Sequence, residues 1–147
     1  MAEIYTIGHS NRSLPEFLGL LSELGGYRRQ GLGKESPNAA WRAGGFRNYA
    51  DHMLTREFRE GIEQLFRVAK EKRTAIMCAE RFWWRCHRRL ISDFLVARGH
   101  RVVHILGPHR AVGHRLPPFA RVVEGRMIYP AEAGLLGEDN MWGHATG

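Results

Sequence analysis

The chain has 147 residues, of which 44% are hydrophobic, and a net charge of +7 that comes mainly from arginine. This length and composition predict a single globular domain with one core. No window approaches the roughly 20 apolar residues of a membrane span, and the start MAEIYTIGHSN lacks the basic segment and apolar core of a secretory signal. We therefore expect a cytoplasmic protein with no membrane partner, in which the two cysteines do not form a structural disulfide.

The arginine-rich charge favours an anionic partner, because guanidinium groups bind phosphate and carboxylate in a planar, bidentate geometry. A small anionic ligand and nucleic acid both fit this composition. A basic, solvated surface has the same composition, so charge alone does not choose between these alternatives.

The first predicted element is a strand over residues 4–7. Ser13 has the pattern of a helix N-cap, and apolar residues continue at helical spacing to about Leu24. Residues 25–45 are glycine-rich and polar, which predicts a loop of unusual length for a compact domain.

Two helices are expected next. A short helical segment covers residues 46–53, and Thr55 then caps the clearest amphipathic helix in the chain. Its apolar residues recur at i, i+4, i+7, i+8 and i+11, and they are Phe58, Ile62, Leu65, Phe66 and Ala69.

Residues 73–105 have the pattern of strand, loop, helix and strand. The apolar run at 74–77 suits a strand buried on both faces, and helical spacing begins after Cys86 and stops at Gly99. This βαβ pattern predicts the α/β class: a single domain with a mostly parallel sheet, helices on both faces, and a Rossmann-like βαβ unit at residues 73–105.

The remaining residues complete a predicted domain over residues 1–130. Residues 107–118 are expected to form a basic loop that carries histidines. Short strands at 121–123 and 126–129 flank Glu124-Gly125, which predicts a hairpin. Residues 131–147 lack a clear period and are expected to be a weakly ordered tail.

The candidate catalytic residues are Cys78, Glu80 and His9. Ligands of α/β sheets bind beyond the carboxyl ends of the strands, where Cys78 ends one strand and His9 follows another. Nearby arginines and a helix start lower the pKa of a thiol, which would make Cys78 a nucleophile. His9 would act as its base, oriented by Asn11, and Glu80 would act as a general acid or base.

A larger group of residues surrounds these three and is the candidate ligand-binding set. The arginines would hold an anion at the helix start, and the tryptophans would stack on a base or sugar. The set comprises Ser10, Asn11, Trp83, Trp84, Arg85, Cys86, His87, Arg88 and Arg89.

Other interpretations of the same residues stay open. Cys78 is also typical of a small buried apolar side chain. Cys78 and Cys86 are eight residues apart, which allows a redox pair without matching a common redox motif. With His87 they offer three zinc ligands, but without the paired short spacing of zinc sites. A tyrosine-phosphatase-like loop is not favoured, because six residues, several of them bulky, separate Cys78 from Arg85. No metal and no cofactor is predicted.

Several blocks of the chain resemble a known family. These are "IYTIGHSNRSLPEFLGLL", "SPNAAWRAGGFRNYADHM", "MCAE" followed after five residues by "CHRRLISDFLVARGHRVVHI", and "HRLPPFARVVEGRMIYP". In this order they resemble the bacterial domain-of-unknown-function family 488. The resemblance implies a small α/β domain and does not imply an activity.

The chain departs from that family between Leu24 and Gly25. Members usually have a second strand there, with an Asp-Val-Arg-like motif, and then a loop rich in serine and arginine. Either this protein has lost the segment or the sequence in hand closes over it. We favour the second, because removing a strand exposes sheet edges and core surface.

The sequence thus predicts an enzyme or sensor that acts on a small anionic ligand, of which a nucleotide is one example. The first alternative is a nucleic-acid-binding module, and the second is a thiol-redox or metal-binding protein. Whether the protein is an enzyme at all, which reaction it performs and its oligomeric state do not follow from the sequence.

Overall fold

The computed structural model describes residues 3–8, 31–41, 44–78 and 82–131. Six strands lie in these ranges: β1 (Glu3–Gly8), β2 (Thr74–Cys78), β3 (Arg101–Gly107), β4 (Arg110–Gly113), β5 (Arg121–Val123) and β6 (Arg126–Ile128). The helices are α1 (Gly44–His52), α2 (Arg56–Glu71) and α3 (Arg88–Ala97), with 3-10 turns at Gly33–Glu35 and Trp83–Arg85. Within the described ranges, no helix has the length and apolar character needed to cross a membrane.

A mixed, mostly parallel sheet confirms the predicted α/β class. Its strand order is β2-β1-β3-β4, with β1 parallel to both β2 and β3, and β4 antiparallel to β3. Gly8 at the end of β1 pairs with Cys78 at the end of β2, so these strands finish at the same edge of the sheet. The Rossmann-like character of the unit and the placement of helices on both faces stay predictions.

The predicted βαβ unit at residues 73–105 extends from β2 to β3. Its strand, turn, helix and strand all form, although β1 lies between β2 and β3 in the sheet. β2 has buried residues on both faces, since Thr74, Ile76 and Met77 are buried, and Ala75 is its exposed residue.

The loop predicted at residues 107–118 contains a strand, β4, which corrects that prediction. All four residues of β4 are exposed, and Val112 is its only large apolar residue, so the segment lacks the alternation that marks a half-buried strand. Backbone pairing with β3 holds it in place. Directly after β4, the His114 amide donates to the Val102 carbonyl at 2.9 Å.

The predicted amphipathic helix is confirmed as α2. The Thr55 hydroxyl accepts from the Phe58 amide at 3.3 Å, which caps the first turn. Phe58, Ile62 and Leu65 are buried in the main apolar cluster, with Phe66 packed against it. The short helical segment predicted at residues 46–53 is α1, which begins at Gly44, two residues earlier than predicted.

Asp51 fastens the described part of the long loop to α1. Its carboxylate accepts from the Leu32 amide at 2.8 Å, the Ser36 hydroxyl at 2.5 Å and the Asn38 side-chain amide at 2.8 Å. Trp41 is fully buried beyond these contacts. This segment therefore packs onto the core through a buried carboxylate.

The β5–β6 hairpin is confirmed at Glu124-Gly125. Both turn residues have positive φ, 51° and 78°, the geometry of a tight hairpin turn that glycine accommodates without strain. The chain then reaches Tyr129, which is fully buried in the apolar cluster. The predicted tail lies outside the described residues, apart from Ala131, and the domain span of 1–130 stays a prediction.

Candidate functional site

Two thiols meet beyond the carboxyl end of β2. Cys78 is the last residue of β2 and is half-buried, while Cys86 follows the Trp83–Arg85 turn and is buried. Hydrogen bonds from the Arg85 amide to the Phe82 carbonyl and from the Cys86 amide to the Trp83 carbonyl hold the turn. The Cys86 side chain forms a hydrogen bond with the Cys78 side chain, and no disulfide joins them.

Arg88 holds the Cys86 sulfur from the first residue of α3. Its backbone amide lies 3.4 Å from Cys86 Sγ, and its side-chain Nε lies 3.1 Å from the same atom. Its Nη1 lies 3.4 Å from Thr6 Oγ1 on β1. Only 2% of Arg88 is exposed, so the guanidinium is engaged by protein groups and bridges the thiol to the sheet.

The pKa of the Cys86 thiol is raised well above its ordinary value. The hydrogen bond with Cys78 is the largest cause, and burial is the second. The charge of Arg88 lowers this pKa but does not outweigh them. Cys86 therefore keeps its proton and can donate it to the Cys78 sulfur, while its own sulfur accepts from Arg88.

The other arginines of the candidate ligand-binding set differ in exposure. Arg89 is 5% exposed, and its guanidinium stacks 4.6 Å from the Trp41 ring and 5.8 Å from the Phe46 ring. Arg85 is exposed, with its guanidinium 5.3 Å from the Phe82 ring. Of the three arginines, Arg85 is therefore the one that a ligand in solvent reaches directly.

The aromatic members of the set also occupy different environments. Trp83 is buried and stacks on His104 at 4.0 Å, with the rings almost parallel. His87 stacks on Tyr49 at 4.3 Å. Trp84 is half-buried and stacks on Phe82 at 4.8 Å. Trp83 and His87 thus have clear packing roles, and the Phe82–Trp84 pair lies nearer the surface.

Four predicted site residues lie outside the described residues: His9, Ser10, Asn11 and Glu80. Their roles, and the missing family segment between Leu24 and Gly25, stay predictions. In the part of the chain that the structure describes, no three or more His, Cys, Asp or Glu side chains are grouped to hold a metal ion.

A chain of buried polar side chains continues from Thr6 into the core, and sequence reasoning did not find it. Thr6 Oγ1 lies 2.6 Å from His104 Nδ1, and His104 Nε2 lies 2.8 Å from His114 Nδ1. His114 Nε2 lies 2.5 Å from Asp93 Oδ1, and the Tyr129 hydroxyl donates to Asp93 Oδ2 at 2.8 Å. We call these five residues, Thr6, His104, His114, Asp93 and Tyr129, the buried polar chain.

The sequence did contain a signal for this chain. Asp93 interrupts the apolar residues of α3. His104 occupies a buried position of β3, where most neighbouring residues are β-branched. A charged or titratable residue at a core position of a regular element requires a buried partner. The identity of that partner depends on the packing of distant elements.

Burial shifts two pKa values in the buried polar chain. Burial lowers the pKa of His104 to about 2, and the neighbouring His114 and Arg88 add to this effect. Burial also raises the pKa of Tyr129 well above its ordinary value, and Asp93 contributes through its charge and its hydrogen bond. Both side chains are therefore neutral near pH 7.

The comparisons with known proteins place this architecture in a family. The model of the family described as "Domain of unknown function DUF488" matches residues 6–95, which is more than half of the chain. This span contains Thr6, both cysteines, Arg88 and Asp93. Neither a search of curated proteins nor a search of solved structures found a match. The chain belongs to the DUF488 family.

Proposed function

We propose that the protein is a thiol-dependent redox enzyme or sensor that cycles between the Cys78–Cys86 dithiol and a disulfide. The observation that carries this proposal is the hydrogen bond between the two thiols beyond the end of β2. Two thiols whose side chains interact can form a disulfide when their sulfur atoms approach to about 2.0 Å. This is the second alternative of the sequence analysis, and the geometry supports it best.

Exposure and proton position give the two cysteines different roles. Cys78 is the more accessible thiol, and Cys86 is buried and keeps its proton. Cys86 can therefore stabilise a Cys78 thiolate by donating a hydrogen bond to it. Cys78 would be the attacking residue and Cys86 the resolving residue.

The reaction with a disulfide substrate, RSSR, proceeds in two steps. The Cys78 thiolate forms a bond to one substrate sulfur while the S–S bond breaks, and one RS⁻ leaves and takes up a proton. Cys86 then loses its proton and attacks Cys78 Sγ, which releases the second RS⁻. The substrate gains two electrons and becomes two thiols, and the protein is oxidised to the Cys78–Cys86 disulfide.

Arg85 connects this proposal to the predicted anionic ligand. It is exposed and is the last residue of the turn that Cys86 follows, so it can bind a carboxylate or phosphate on the substrate. Arg88 and Arg89 are engaged with Cys86 and Trp41, respectively. We therefore assign substrate anion binding to Arg85, and we assign support of the thiol site to Arg88.

The test uses dithiobis(nitrobenzoate), a chromogenic disulfide that carries two carboxylates. The reduced wild-type protein should release both nitrothiobenzoate groups and show an intramolecular disulfide by mass spectrometry. Cys86→Ser should release one group and keep a mixed disulfide at Cys78, and Cys78→Ser should react slowly. A wild-type protein that retains a stable mixed disulfide would overturn the proposal.

The second candidate function is binding of single-stranded nucleic acid. It is favoured by the Phe82–Trp84 stack and by the exposed Arg85 beside it. Labelled random oligonucleotides should then bind with a steep dependence on salt, and Trp84→Ala should weaken binding by about 1–3 kcal/mol. Unchanged binding by Trp84→Ala would exclude this surface as the site.

A further inference from the structure

The hydrogen atoms in the buried polar chain can be placed from its two ends. Arg88 has only donors, so Thr6 Oγ1 accepts from it, and Asp93 as a carboxylate has only acceptors. The hydroxyl hydrogen of Thr6 is then available for His104 Nδ1, His104 Nε2–H for His114 Nδ1, and His114 Nε2–H for Asp93. Every hydrogen bond in the chain has one hydrogen when both histidines are neutral.

The direction of these hydrogen bonds determines whether the lone pairs of Thr6 Oγ1 are available to Arg88. When His104 Nδ1 accepts from the hydroxyl, the lone pairs of Thr6 Oγ1 are left for Arg88.

Arg88 is the link between the buried polar chain and the thiols. One nitrogen of its guanidinium lies against Thr6 Oγ1 and another lies 3.1 Å from Cys86 Sγ. The guanidinium is planar and rigid, so anchoring one end of it orients the other. Trp83 stacks on His104 and meets His114 edge-on, so its ring covers both histidines of the buried polar chain.

We propose that Thr6, His104, His114 and Asp93 are positioning residues, which hold the Arg88 guanidinium against Cys86 and so promote resolution of the mixed disulfide. The inference rests on the proposed dithiol function. Resolution requires Cys86 to lose its proton, and a cation at hydrogen-bond distance favours the thiolate that forms. Attack by Cys78 on the substrate does not depend on this contact.

The experiment measures the two steps separately by stopped-flow release of nitrothiobenzoate from dithiobis(nitrobenzoate). Thr6→Val keeps the shape of residue 6 and removes the hydroxyl, and Thr6→Ser restores it. Thr6→Val should slow the second release about tenfold and raise its pH midpoint by about one unit, since both correspond to the loss of one charge-assisted contact. The first release should stay at the wild-type rate, and Thr6→Ser should behave as wild type.

Second-step kinetics of Thr6→Val equal to those of wild type would overturn the inference while leaving the dithiol function intact. A wild-type protein with no second release would overturn the dithiol function and, with it, this role of Arg88. If thermal unfolding shows that Thr6→Val is not folded, His104→Phe decides, because it keeps a ring against Trp83 and removes both nitrogens. Slower second release in His104→Phe supports the inference, and an unchanged rate overturns it.

Discussion

His104 and His114 hydrogen-bond to each other inside the protein, with His104 Nε2 2.8 Å from His114 Nδ1. The first belongs to β3 and the second follows β4, and both are buried. Such a contact needs one donor and one acceptor, so two protonated rings cannot form it. The pair therefore links the protonation state of the core to the integrity of the fold.

Stability should fall as the pH drops below the value at which free histidine protonates. The pKa of His104 is lowered to about 2 in the folded protein, against about 6.5 in an unfolded chain. Between these pH values His104 binds a proton in the unfolded state but not in the folded state. The contribution of His104 to the free energy of unfolding is therefore complete above about pH 6.5 and is lost as pH falls, at up to about 1.4 kcal/mol per pH unit.

Urea unfolding between about pH 7.5 and pH 5 checks this sign. His104→Phe should have a smaller pH dependence than wild type. The matched control is His109→Gln, at an exposed histidine, which should keep the wild-type dependence. Wild-type stability that is constant or rises towards pH 5 would contradict the neutral, buried His104.

Asp93 should be among the most costly core residues to replace. Asp93→Ala leaves the His114 and Tyr129 donors without their acceptor in the interior, which predicts a loss of about 3–5 kcal/mol in the free energy of unfolding. The adjacent Ser92 is equally buried, and its hydroxyl has no hydrogen-bond partner within the described ranges. Ser92→Ala is therefore the control and should change stability by less than about 1 kcal/mol. Equal effects of the two variants would contradict the assigned hydrogen bonds.

Native Cys86 should resist alkylation under conditions in which Cys78 reacts. Its hydrogen bond with Cys78 and its burial raise its pKa and limit access to its sulfur. Iodoacetamide labelling near pH 7.5, followed by peptide mass spectrometry, should show modified Cys78 and unmodified Cys86. In denaturant both should react. Preferential labelling of native Cys86 would reverse the roles assigned to the two thiols.

Alanine substitutions at Arg89 and Arg85 should distinguish an arginine that packs in the core from one that binds a ligand at the surface. Arg89→Ala removes a buried cation that stacks on Trp41 and Phe46, and it should reduce the free energy of unfolding by about 2 kcal/mol or more. Arg85→Ala, at an exposed position, should change stability by no more than about 0.5 kcal/mol. In the dithiobis(nitrobenzoate) assay, Arg85→Ala should instead slow the first release. A slowed first release in Arg89→Ala, with unchanged stability, would assign the anion to Arg89.

Local patterns predicted most of the regular elements correctly. The amphipathic spacing from Phe58 onward identified α2, and Glu124-Gly125 identified a tight hairpin turn, because both signals lie within a few residues. The strand β4 was not predicted from the sequence, because its four residues are exposed and only one is a large apolar residue. Its formation depends on backbone pairing with β3 rather than on its own side chains.

By itself, the sequence determined the α/β class, the family and the position of Cys78 at the end of a strand, because periodicity and motif blocks are local properties of the chain. Only the tertiary structure decided that Cys86 hydrogen-bonds with Cys78, that Arg88 bridges to Thr6, and that His104, His114 and Asp93 form one buried chain. Thr6 and Arg88 are 82 positions apart. Contacts of that kind arise when parallel strands and a helix pack together, and no local pattern records which side chains will meet.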